Sequence, residues 1–165
     1  MVVARQQVRV WKDTEALFTH ALAVTEKNAL AHYSLGMVRN REGRFDDAIR
    51  HFEQSTEIDP LNPYTYYNLG LAHYRQGKLN EATLDFRRAL ELRPTHISSL
   101  MTLGIAYRRM SRLEEAFKVL SRVVEVAPEN ANAHANFGML MIDLNRPDAA
   151  IEHFRRTVQL TPNDG

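Results

Sequence analysis

The sequence predicts an all-α protein, an α-solenoid of helix–turn–helix repeats with about nine helices. Three ladders of residues recur at a step of 34: Gly36, Gly70, Gly104 and Gly138; Ala48, Ala82, Ala116 and Ala150; Pro60, Pro94, Pro128 and Pro162. A fixed period of this length marks a repeat architecture. Within each period two amphipathic stretches flank Gly43, Gly77, Ser111 or Asn145, and a proline closes the second. Each hairpin buries only one face by itself, so a continuous core forms when neighbours stack.

The copy from Pro63 to His96 shows why these residues recur. A glycine inside a helix costs about 1 kcal/mol relative to alanine, so keeping it four times needs a packing reason. Without a Cβ, Gly70 is expected to let its helix approach the next one at the small Ala82, while Leu69 and Phe86 fill the space between. Gly77 can take positive φ and end the first helix cheaply. Gly43 and Asn145 suit the same turn, but Ser111 adopts that conformation less readily, which predicts a different third turn. Pro94 cannot continue the second helix.

Taken in order, residues 1–10 carry little pattern, and a lone second-type helix is expected from Lys12 to Glu26. There Trp11, Phe18 and Ala21 stand two periods before Leu79, Phe86 and Ala89, with Thr14 and Glu26 replacing the usual alanine and proline. This register gives Trp11 a packing role. The segment 1–28 is thus a half-repeat. Full repeats follow at 29–62, 63–96, 97–130 and 131–165. Their helices are expected near 29–42 and 45–58, 63–76 and 79–92, 97–110 and 113–126, and 131–144 and 147–160. Pro147 begins its helix, where the missing N–H costs little.

Leucine–glycine, then alanine, then an aromatic four residues on, then proline: this pattern resembles the tetratricopeptide repeat over about residues 11–162. The resemblance implies a right-handed solenoid that binds proteins or peptides, needs no cofactor and catalyses nothing. In that family the first helices of each pair line a concave groove. The matching positions here are Tyr33, Met37 and Arg41; then Tyr64, Tyr67, Asn68, Leu71, Tyr74 and Arg75; then Met101, Ile105, Arg108 and Arg109; and finally Asn136 and Met139. Tyrosine, methionine and arginine are the residues enriched where proteins bind proteins. The alternative for the tyrosines is simple repeat filler.

Two subtypes can be compared residue by residue. Chaperone-binding repeats grip a terminal carboxylate with lysine and asparagine, where this chain has Tyr33 and Met37, then Tyr67 and Leu71. The repeat region of O-GlcNAc transferase carries an asparagine ladder; Asn68 and Asn136 match it, and Ser34 and Thr102 interrupt it. A further stretch, RQQVRVWKDTEALFTHALAVTEKNALAHYSLG, resembles the junction of bacterial transmembrane-and-tetratricopeptide mannosyltransferase-like proteins, through Arg5, Gln6, Trp11, Asp13, Leu17 and Phe18. That resemblance implies the soluble tail of a membrane glycosyltransferase, with a regulatory or substrate-presenting role.

Other function classes are weakly supported. Net charge is +1, so there is no basic field to attract nucleic acid or an anionic membrane. The 34-residue step also differs from that of 35-residue RNA-reading repeats. There are no cysteines, hence no disulfide or thiol chemistry. No apolar run approaches the ~18 residues that span a bilayer, so the chain as given reads as soluble, in no particular compartment. Seven histidines invite a metal reading, but His51 and His153 are equivalent in separate repeats, as are His32 and His134. No HExxH or His–Cys cluster is present, so neither metal nor catalytic residues are expected. Ile151, Phe154 and Val158 lie on the outer face of the final helix, which points to self-association through the terminal helices as a further alternative.

Overall fold

In a computed structural model, residues 14–25 and 27–161 are described; Trp11, the N-terminal part of the glycosyltransferase-like junction, Glu26 and Pro162 lie outside them. All regular structure among the described residues is helical. Helix α1 covers 14–24. It is followed by α2 (Ala29–Arg41), α3 (Phe45–Ile58), α4 (Pro63–Arg75), α5 (Leu79–Leu92), α6 (Ile97–Arg109), α7 (Leu113–Val126), α8 (Ala131–Asp143) and α9 (Pro147–Leu160). Helices of 13 and 14 residues alternate. Connections of three and four residues complete the 34-residue step. The first helix of each pair ends one residue earlier than the spacing suggested, because the next residue already belongs to the turn.

The chain forms two compact units, Met1–Asp85 and Phe86–Gly165, with the boundary inside α5. In the first, α2 packs on α3 and α3 on α4. Ala48, Ile49, Phe52, Leu69 and Ala72 form the core there, with Tyr33 and Met37 against it. In the second, α6 packs on α7, α7 on α8 and α8 on α9. Leu100, Leu103, Ala116, Leu120, Val123, Ala133 and Leu140 are buried.

Starts and stops follow local chemistry. Asn28, Asn62 and Asn130 cap α2, α4 and α8 by accepting from Ala31 N–H (2.9 Å), Tyr64 N–H (3.0 Å) and Ala133 N–H (3.1 Å). Such caps stabilise a helix by about 1 kcal/mol. The hairpin turns close instead through the backbone. Arg44 N–H donates to Arg39 C=O (2.9 Å), Lys78 to His73 (3.0 Å), Arg112 to Tyr107 (2.9 Å) and Arg146 to Met141 (2.8 Å). The residue before each donor is left-handed: Gly43 at φ 77°, Gly77 at 80°, Ser111 at 57° and Asn145 at 57°.

One expectation is corrected here. The third turn does not differ, because Ser111 takes the same left-handed conformation as the glycines. The strain is about 1–2 kcal/mol. It is offset by the turn hydrogen bond that recurs in all four hairpins and by the Arg112 guanidinium, 4.7 Å above the Tyr107 ring. The helical glycines of the first, third and fourth repeats each face a large side chain. A Cβ on Gly36 would lie 2.6 Å from Phe52 Cε1, one on Gly138 2.8 Å from Phe154 Cε1, and one on Gly104 closer still to Leu120. In these hairpins the glycine makes room for the large residue four positions after the alanine.

Candidate peptide-binding faces

The residues expected to line a groove lie on the first helices of the pairs, and each unit is best taken separately. In the first unit α2 and α4 are joined by side chains one repeat plus one residue apart. Asn68 Nδ2 donates to Tyr33 Oη (3.1 Å) and to the Tyr64 carbonyl (2.8 Å). Arg75 donates to Asn40 Oδ1 (3.1 Å) and to the Asn40 carbonyl (3.3 Å). Asn68 and Asn40 are buried. Their amides therefore hold the helices in register. Burial pushes the Tyr33 phenol above its usual pKa, and the bond from Asn68 works against that shift. Tyr67, Leu71 and Tyr74 are half-buried, Met37 packs against the core, and Tyr64, Arg41 and Arg75 are exposed.

The second unit repeats this spacing with opposite charges. Arg108 Nε donates to Asp143 Oδ2 at 2.5 Å, again one repeat plus one residue away. That pair, with Ile105, Arg109, Ser111 and Leu113, lines an open cavity of 600 Å³. Met101 and Ile105 are half-buried, and Arg109 is exposed. Asn136 spends an amide hydrogen on the Asn132 carbonyl (2.8 Å) of its own helix. Met139 and Ile142 stand 39% and 53% exposed. Ile142, on the same helix, is thus a second exposed large aliphatic beside Met139.

The histidines are arranged in a way that comparing like positions missed. His32 and His51, on α2 and α3, bring their Nδ1 atoms to 3.1 Å. His134 and His153, on α8 and α9, do the same at 3.0 Å. Burial lowers the pKa of His32, His51 and His153. Elsewhere His73 Nδ1 meets Asp85 Oδ2 at 2.7 Å; burial raises the Asp85 pKa and the histidine opposes that shift. No group of three or more metal-ligating side chains occurs among the described residues. No described helix is long and apolar enough to cross a membrane.

Family models for the tetratricopeptide repeat match residues 37–77, 63–96 and 95–163. The chain is a tetratricopeptide-repeat protein. A search of curated proteins found no match. Among solved structures, a crystal structure of MamA has a TM-score of 0.87 at 18% identity, over 96% of this chain and 93% of that one. YrrB, described as a tetratricopeptide-repeat protein with an unusual peptide-binding site, scores 0.81 at 22% identity, over 96% of this chain and 82% of that one. A MamA fragment from Desulfovibrio magneticus scores 0.76 at 25% identity, over 81% and 76% of the two chains. At these identities the likeness speaks for the solenoid fold of stacked helical hairpins.

Proposed function

We propose that this tetratricopeptide-repeat protein is a non-catalytic scaffold that binds a peptide or protein segment on its first-helix faces. The observation that carries the proposal is the α6/α8 face, where Ile105 and the Arg108–Asp143 pair line one cavity and α8 also exposes Met139 and Ile142. Adaptable apolar side chains beside a charged, hydrogen-bonding edge suit a ligand with both apolar side chains and polar backbone. The aromatic α4 face, with Tyr64, Tyr67 and Tyr74, offers contact area of the kind that dominates interface energies. The peptide-binding description of YrrB supports the same reading.

The test is selection from a displayed library of linear peptides, followed by fluorescence anisotropy with the selected sequences. Tyr67→Ala and Arg108→Ala should each weaken binding by about tenfold, on the order of 1.4 kcal/mol, with helicity unchanged. Failure to select any peptide, or binding untouched by both changes, would sink the proposal.

A second reading is self-association through α9. Ile151, Phe154 and Val158 are 48%, 36% and 68% exposed, and with Arg155 and Gln159 they line a 480 Å³ recess. The equivalent face of α3 is the one packed against α4, so this surface has the shape that accepts a helix. Light scattering across a concentration series checks it: a rising mass that Phe154→Glu abolishes supports self-association, and a constant monomer mass rejects it.

A further inference from the structure

We propose that each histidine pair is a two-imidazole site for a divalent late transition-metal ion of the copper(II) or nickel(II) class. The first site joins His32 and His51 in the first unit, and the second joins His134 and His153 in the second. Nδ1 faces Nδ1 in both, at 3.1 and 3.0 Å. The same geometry arises in both hairpins, one in each unit.

The second site is oriented as metal-binding imidazoles are. His134 Nε2 lies 2.9 Å from the Pro128 carbonyl, which can only accept, so the ring proton sits on Nε2 and the Nδ1 lone pair points at His153. A ligating histidine usually holds its other ring N–H on a carbonyl or carboxylate in this way. Without metal, His153 Nδ1–H donates to His134 Nδ1. With metal, both Nδ1 atoms ligate and the His153 proton moves through solvent to its Nε2, so both rings stay neutral. The His134 and His153 rings stack with centroids 5.3 Å apart, and Phe137 meets His153 edge-on at 4.7 Å. These contacts hold the two rings beside each other.

Distance selects the ion. Two nitrogens 3.0–3.1 Å apart, each at ~2.0–2.1 Å from a metal, subtend about 95°. That is closer to neighbouring corners of a square-planar or octahedral ion than to a tetrahedron, which favours copper(II) or nickel(II) over zinc. Water completes the coordination, since no third ligating side chain among the described residues joins either pair. Solvent reaches the first site through a 390 Å³ cavity lined by Lys27, His32, Gln54, Glu57 and Ile58. Around His51 the charges are mixed, with Asp47 attracting a cation and Arg39 and Arg50 repelling it. Glu152 attracts a cation to His153.

The pairs are not demanded by the fold. The same two positions hold Leu100 and Val119 in the third repeat. This supplies variants whose folding has a precedent in the chain itself: His134→Leu with His153→Val, and His32→Leu with His51→Val. The untagged protein is titrated with copper(II) chloride by calorimetry and followed by electron paramagnetic resonance, with circular dichroism as the folding control. The expected result is two ions per wild-type chain, one for either double variant and none for the quadruple variant, with two imidazole nitrogens on each copper. Unchanged copper binding by a folded quadruple variant would overturn the proposal. So would a single nitrogen per copper, or no binding by the wild type, which would leave the pairs as internal N–H···N hydrogen bonds.

Discussion

The first and fourth repeats carry nearly the same hairpin, and their outer helices have different surroundings. Phe52 on α3 and Phe154 on α9 are equivalent; each takes the space left by a glycine, Gly36 or Gly138. Phe52 is fully buried, whereas Phe154 is 36% exposed. Ile49 is 8% exposed and its counterpart Ile151 is 48% exposed. The far face of α3 is covered by α4, and no described helix covers that of α9. Burial in this molecule therefore belongs to the pair of repeats and not to the repeat alone.

The strongest way to break this comparison is to truncate both rings. Phe52→Ala should cost about 3–5 kcal/mol, since it leaves a cavity that α2 and α4 cannot both close on. Phe154→Ala should cost about 1–2 kcal/mol, because part of that ring is already hydrated. Urea denaturation of the two variants checks both values, and equal costs would mean that exposure does not distinguish the two repeats.

Adding one methyl sharpens the comparison. Gly36→Ala drives a Cβ into the enclosed Phe52 ring and should destabilise by about 1–3 kcal/mol. Gly138→Ala meets a ring that can turn towards solvent, and alanine's helix preference offsets the remainder, so it should lie within about 1 kcal/mol of neutral. Thermal melts of both variants separate these outcomes.

The turns extend the test to the backbone. Ser111→Gly relieves a left-handed serine and should stabilise by about 0.5–1 kcal/mol, while Gly43→Ala, where no neighbouring atom obstructs a side chain, should destabilise by a similar amount through φ alone. Opposite signs in denaturant midpoints are the expected result.

The smallest effect belongs to the ion pair that ties α1 to α2. The hydrogen bond from Arg39 lowers the Glu15 pKa, so the pair's stability is present above the ordinary carboxylate range and is lost as pH falls through the lowered value. The pair is partly exposed, and Glu15→Gln should cost well under about 1 kcal/mol at neutral pH. Comparing wild type and variant by denaturation at neutral and acidic pH should show the difference vanish in acid.

Much of the fold was legible in the sequence because glycine, alanine and proline each carry a backbone or packing constraint that recurs at one interval. The turns were legible except at Ser111, where the hydrogen-bonded turn outweighs the residue's own preference. The candidate faces were legible as positions but not as bonding partners. Asn68 reads as a ligand-facing amide, yet its bonds run to Tyr33 and Tyr64. Comparing His32 with His134 placed equivalents far apart and hid the partner that each has across its own hairpin.

By itself the sequence determined the period, the extents of the second helices and where each hairpin turns, since these depend on residues near one another along the chain. Only the tertiary structure decided which side chains meet. Partners on neighbouring first helices are offset by one repeat plus one residue, so Tyr33 finds Asn68, Asn40 finds Arg75 and Arg108 finds Asp143. It also decided how deeply each copy is buried, because the same phenylalanine is core or surface according to whether a neighbouring helix removes it from water.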